Sequence, residues 1–107
     1  MKKIVFLYYG SDISEGATKE EKKASMDKWM AWFGTFNDKM VDGGNPFAPD
    51  GKSVSAKGVK AVATDVSSTG YTIINVKDIH EAVEIAKGCP LAKSARGAIH
   101  VYETMPM

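Results

Sequence analysis

The chain has 107 residues, 44% of them apolar and 25% charged, which suits one soluble globular domain with a modest core and leaves no room for two. Its 14 Lys+Arg against 13 Asp+Glu leave a formal net charge of +1, and no basic run exceeds a pair, which argues against a nucleic-acid partner. No apolar run approaches the roughly 18 residues of a membrane span, so a single cytoplasmic domain over residues 1–107, with neither a membrane nor a nucleic acid as partner, is expected.

Lys2-Lys3 followed by IVFLYY mimics a secretory signal. The apolar run of residues 4–9 is, however, shorter than a signal core of roughly 7–15 residues, and no small-x-small site follows it. It reads instead as a buried first strand, aromatic and β-branched, stopped at Gly10. Residues 11–17 form a polar loop. Thr18 with Glu21 makes a capping-box pair, which predicts a helix running to about Met40. Its apolar stripe is Met26, Trp29, Met30, Phe33, Phe36 and Met40, with Trp32 at the margin, and Asp42-Gly43-Gly44 is expected to stop it.

Residues 41–47 and 52–55 are short extended pieces punctuated by Pro46, Pro49 and Asp50-Gly51. Residues 59–64, after a turn at Lys57-Gly58, read as the second full strand. Ser67-Ser68-Thr69-Gly70 connects them to YTIINV, residues 71–76, the third strand. Asp78 and Glu81 repeat the capping logic for a helix over residues 79–87, with Gly88 as its cap and Pro90 preventing continuation. AIHVY, residues 98–102, is the last strand.

The order β-α-β-β-α-β predicts an α+β, ferredoxin-like domain with a four-stranded antiparallel sheet. Two helices cover only one face of such a sheet. Yet the strands are apolar on both: Ile4, Phe6 and Tyr8 oppose Val5, Leu7 and Tyr9, and Tyr71 and Ile73 oppose Thr72, Ile74 and Val76. An uncovered apolar face is an association surface, so a homodimer with its sheets face to face is expected.

MKKIVFLYYG at the start, WMAWFG in the first helix, VDGGNPF after it and GYTIINVKDIHEAVEIAKGCP near the end resemble the YCII-related superfamily, in the branch that holds the DGPF-domain proteins. The resemblance covers nearly the whole chain in order. It implies a dimeric α/β barrel with a cleft between sheet and loops, and some relatives are linked to transcription regulators. Two features of the family are missing. Its suspected His–Asp dyad has no counterpart, because KASMDKWMAWF lacks a histidine and Cys89 precedes Pro90. The DGPF motif is replaced by ATDVSSTGY. A small-ligand-binding or interaction dimer is therefore the first functional reading, and a cofactor-free lyase, isomerase or hydrolase the alternative.

For that enzyme, His100 is the candidate acid or base. Alternation in AIHVY sets it with Tyr102 on the face away from Ile99 and Val101, and an imidazole titrates near neutrality. The competing reading is a satisfied polar residue at a dimer interface or strand edge. Asp42, Asn45 and Phe47 are candidate ligand contacts at the mouth of the barrel cleft, joined by Tyr9, Trp32 and Tyr102. Against this, residues 41–51 read simply as a helix stop and a tight approach to the sheet. Their glycines follow a helix, the wrong end for a phosphate cradle. His80 reads as solvent-exposed. Cys89, the only cysteine, has no disulfide partner and suits a reducing compartment. Without HxH or CxxC spacing, no metal and no cofactor are expected.

Overall fold

Alternation along the first strand decides which way the sheet faces. In β1 (Lys2–Gly10), Ile4, Phe6 and Tyr8 are buried while Val5, Leu7 and Tyr9 are only half-covered. The computed structural model describes residues 1–14 and 16–107. After β1 come α1 (Lys19–Thr35), β2 (Met40–Asp42), β3 (Lys52–Ser55), β4 (Gly58–Ala61), β5 (Ser68–Val76), α2 (Ile79–Ala86) and β6 (Gly97–Glu103). A four-stranded antiparallel sheet has the order β2-β5-β1-β6, which is the ferredoxin-like α+β arrangement.

Both helix starts form as their sequences dictate. Thr18 accepts from the Glu21 amide at 3.1 Å, and Glu21 accepts in return from the Thr18 amide at 3.1 Å. Asp78 accepts from the Glu81 amide at 2.9 Å. Each cap satisfies amides that have no partner inside their own helix. The helices lie on the inward face of the sheet, where Phe6, Ile74 and Val76 meet Trp32, Phe36, Ala82 and Ala86 in one core.

The helix ends and the middle of the chain depart from expectation. The first helix stops at Thr35, not near Met40, because Phe36 leaves helical geometry (φ −135°, ψ 23°) and drops into the core at 1% exposure. A 3-10 turn at Asn37–Lys39 follows, and Met40 pairs with Ile74 as the start of the edge strand β2. Gly43-Gly44 therefore ends a strand, not a helix. Residues 59–64 are not the second strand of the main sheet. Gly58–Ala61 pairs only with β3 in a separate two-stranded hairpin, and Thr64–Val66 is a 3-10 turn. β5 begins earlier than the apolar pattern indicates, at Ser68. Lys87, not Gly88, caps α2, and the chain continues in successive turns through Ser94.

Trp32 is the clearest reversal within a helix. It is 5% exposed at the heart of the core, whereas Met26 and Met30 of the expected stripe are 66% and 64% exposed. The aromatic side chains bury more apolar area per residue and stack on one another. Trp32 lies 4.7 Å from Phe36 and 5.9 Å from Phe6, ring centre to ring centre. Its indole N–H also donates to the Ile85 carbonyl at 2.8 Å, so α1 helps to terminate α2 where carbonyls lack intrahelical partners.

The outer face of the sheet carries Val5 opposite Ile73 and Tyr102, and Leu7 opposite Tyr71 and His100. Both helices pack on the other side, so this face meets solvent in the single chain.

Candidate functional site

Two concavities flank α1. A cleft of about 560 Å³ opens between its Met26–Trp29–Met30–Phe33 edge, the loop after β1 and the Gly43–Pro46 segment. A groove of about 640 Å³ runs between α1 and α2, rimmed by Lys28, Glu84 and Lys93. The groove is edged by solvated charges. The cleft is walled mainly by apolar and aromatic side chains with a few polar groups, which is the usual make-up of a small-molecule site.

Local chain chemistry shapes that cleft. Gly10 ends β1 at φ +75°, where a side chain would strike the Arg96 carbonyl, and the chain turns there into Ser11-Asp12-Ile13. Asp12 then ties this loop to α1. Its carboxylate accepts from Ser25 Oγ at 2.5 Å and from Trp29 Nε1 at 3.3 Å. Ser25 and Trp29 stand four apart on the helix, so both present to the same carboxylate. The far wall is set by Gly44, at φ +77°, pressed so closely against Tyr71 that a Cβ would lie 1.7 Å from its carbonyl oxygen. Pro46 bridges to Gly70 and completes that wall.

The floor is Tyr8. Its hydroxyl lies 2.6 Å from Thr72 Oγ1, which in turn reaches the Gly43 carbonyl at 2.9 Å. Its ring stands edge-on to Trp29 at 5.1 Å. Burial pushes the Tyr8 phenol well above the ordinary tyrosine range, the Thr72 hydrogen bond opposing and Cys89 adding slightly. It is a neutral hydroxyl at any physiological pH. Burial likewise pushes the Cys89 thiol up to about 11, with backbone hydrogen bonds from Leu91 and Ala92 opposing and the Asp12 charge adding. That thiol is fully buried, the setting of an inert cysteine.

The seven side chains singled out from the sequence are dispersed. Asn45 lines the cleft. Asp42 turns back on its own loop, accepting from the Gly44 amide at 2.8 Å and from the Tyr71 hydroxyl at 3.2 Å. Phe47 stacks on Tyr71, with ring centres 5.7 Å apart. Trp32 is a core residue whose edge borders the groove between the helices. Tyr9, His100 and Tyr102 form a separate row on the outer face, with Tyr9 4.4 Å and Tyr102 6.4 Å from the imidazole, and His100 borders neither concavity. Among the described residues, no three His, Cys, Asp or Glu side chains gather where a metal ion could be held.

Sequence reasoning missed Asp12, Ser25 and Tyr8 as cleft groups, and Thr72 as the buried partner behind Tyr8. Only the Ser25–Trp29 spacing carried a local signal; the partners lie 13 to 64 residues apart.

A ferredoxin-like α+β chain with one apolar cleft beside its longer helix is thus the class that fold and site define. No protein-family model and no curated protein sequence matches the chain. Its fold is similar to that of the 5-chloro-2-hydroxyhydroquinone dehydrochlorinase of Burkholderia phenoliruptrix AC1100, solved with 2,5-dihydroxybenzoquinone, at a TM-score of 0.59 and 12% identity, covering 96% of this chain and 93% of that one. The likeness is one of fold.

Proposed function

We propose that the protein is a YCII-type homodimer that binds a small, flat organic molecule in the cleft beside α1. One observation carries this: an apolar cavity of about 560 Å³ whose polar groups converge from three segments far apart in sequence. Aromatic rings at its wall suit a ring-shaped ligand. The dehydrochlorinase of similar fold was solved with a dihydroxylated quinone, which favours a cyclic, oxygenated ligand class here. The dimer follows from the apolar outer face of the sheet, which a second copy would cover.

Thermal-shift screening of small aromatic compounds tests this, native against the pair Met26→Glu and Met30→Glu. Both methionines are exposed on the cleft wall, so the variants keep the fold while charging the wall. Compounds that stabilise the native protein are expected to lose at least about tenfold in affinity, the cost of placing an apolar body against an unpaired charge. Stabilisation that survives both substitutions would move the site elsewhere.

A second reading is a cofactor-free acid–base enzyme on the outer face of the sheet, in which His100 serves as acid or base with Tyr102 positioning the substrate; Asn45, on the other side of the sheet, has no part in it. This reading draws on the enzymatic activity of the protein of similar fold and on the His100–Tyr9 row, which a facing sheet would enclose. If His100→Ala keeps full ligand-induced stabilisation and the pH–rate profile of any turnover, His100 is outside the site.

A further inference from the structure

We infer that the cleft selects ligands carrying a hydrogen-bond donor, a hydroxyl or an N–H, on an apolar body, and disfavours molecules of the same shape that carry only acceptors. This deepens the ligand-binding reading and rests on the cleft being the site.

The side-chain protons of Tyr8, Ser25 and Trp29 in the cleft wall are already committed to the protein. Thr72 Oγ1 donates to the Gly43 carbonyl, 2.9 Å away. With its single proton placed there, the phenol is the donor in the 2.6 Å contact between Tyr8 Oη and Thr72 Oγ1. A carboxylate only accepts. The 2.5 Å contact of Ser25 therefore commits its proton to Asp12, and the Trp29 indole N–H is committed to the same group at 3.3 Å. What Tyr8, Ser25 and the Asp12 carboxylate still offer the cleft is lone pairs.

An incoming hydroxyl or N–H is met by these acceptors. An incoming ether or carbonyl oxygen loses its water and faces lone pairs, and an unpaired desolvated polar group is costly. Lys22, Asn45 and Ser11 do carry donors, but all three are exposed at the rim, where water serves an acceptor equally well.

Isothermal titration with naphthalene, 2-naphthol and 2-methoxynaphthalene separates the outcomes. With native protein, 2-naphthol is expected to bind about tenfold tighter than 2-methoxynaphthalene, the value of one hydrogen bond made against one refused. Tyr8→Phe is expected to lower that ratio, whereas Ser25→Ala, which uncovers the Asp12 carboxylate, is expected to keep or raise it. Thr72→Val frees the phenol proton of Tyr8, so it is expected to raise the affinity of 2-methoxynaphthalene relative to 2-naphthol. Equal native binding of the two oxygenated probes overturns donor selection and leaves the cleft as a site. A preference unchanged in Tyr8→Phe, or abolished by Ser25→Ala alone, overturns the assignment to these acceptors. Absence of binding by all three probes overturns the cleft and the donor rule together.

Discussion

Individual positions set the cleft through constraints that are easy to break. Gly44 adopts φ +77° against the Tyr71 carbonyl, a conformation that costs an L-residue about 1–2 kcal/mol before any clash is counted. Gly44→Ala is therefore expected to lower urea-unfolding stability by more than that and to weaken cleft ligands as the wall shifts; an unchanged midpoint would show that the loop yields. Trp32→Phe keeps a ring in the core but removes the N–H to Ile85, a loss of about 1 kcal/mol. Cys89 adds a pH signature. Its folded value is raised from the ordinary 9.0 to about 11, so the unfolded chain loses this proton first. Stability from the buried neutral thiol is complete below pH 9 and lost as pH rises through 11, an effect of roughly 1–3 kcal/mol. Native and Cys89→Ala proteins compared by chemical denaturation across that window should differ in slope, the variant being flatter. Parallel curves would count against the assignment.

Elements differ in how far they depend on the rest of the molecule. The α1 and α2 starts are local events, because a cap needs only a side chain and an amide three residues away. Their ends are not local. Phe36 abandons the helix because the core accepts its ring, and β2 exists because Met40 finds Ile74. The β3–β4 hairpin is the opposite case. Val54 pairs with Val59 at 76% and 68% exposure, and an isolated two-stranded ribbon is marginally stable. Its amides are expected to exchange with deuterium far faster than those of β1 and β5 in the monomer. Its ends are closed by Val62 N–H donating to Gly51 O at 2.9 Å. Replacing residues 52–61 with a short glycine–serine turn should therefore leave the melting temperature within a few degrees. A large drop would mean that the ribbon supports the fold or its assembly.

At the scale of the whole molecule, the outer sheet face carries a continuous row of partly exposed apolar side chains. Val5, Leu7, Tyr9, Tyr71 and Ile73 are half-buried there without a covering layer. Face-to-face dimerisation would remove this apolar area from water at about 25 cal/mol per Å². Sedimentation of the native chain at micromolar concentration should give a dimer, and Leu7→Glu with Ile73→Glu a folded monomer by circular dichroism. A native monomer at that concentration would sink the assembly.

The amino-acid sequence by itself determined the ferredoxin-like order, the two helix starts and which residues of the first and last strands share a face. These depend on period-two alternation and on contacts within a few residues. Alternation alone sets His100 with Tyr102 on one face, and the β1–β6 register then makes it the outer face shared with Tyr9. Tertiary structure decided what needed distant partners: which strand joins the main sheet at its edge, why Trp32 lies inside while Met26 and Met30 stay out, and where the cleft opens. Asp12 meets Ser25 and Trp29, and Tyr8 meets Thr72, only after the chain has folded. A hydrogen bond across 64 residues leaves no periodic trace in the sequence, and so its donors and acceptors could be assigned only from the folded chain.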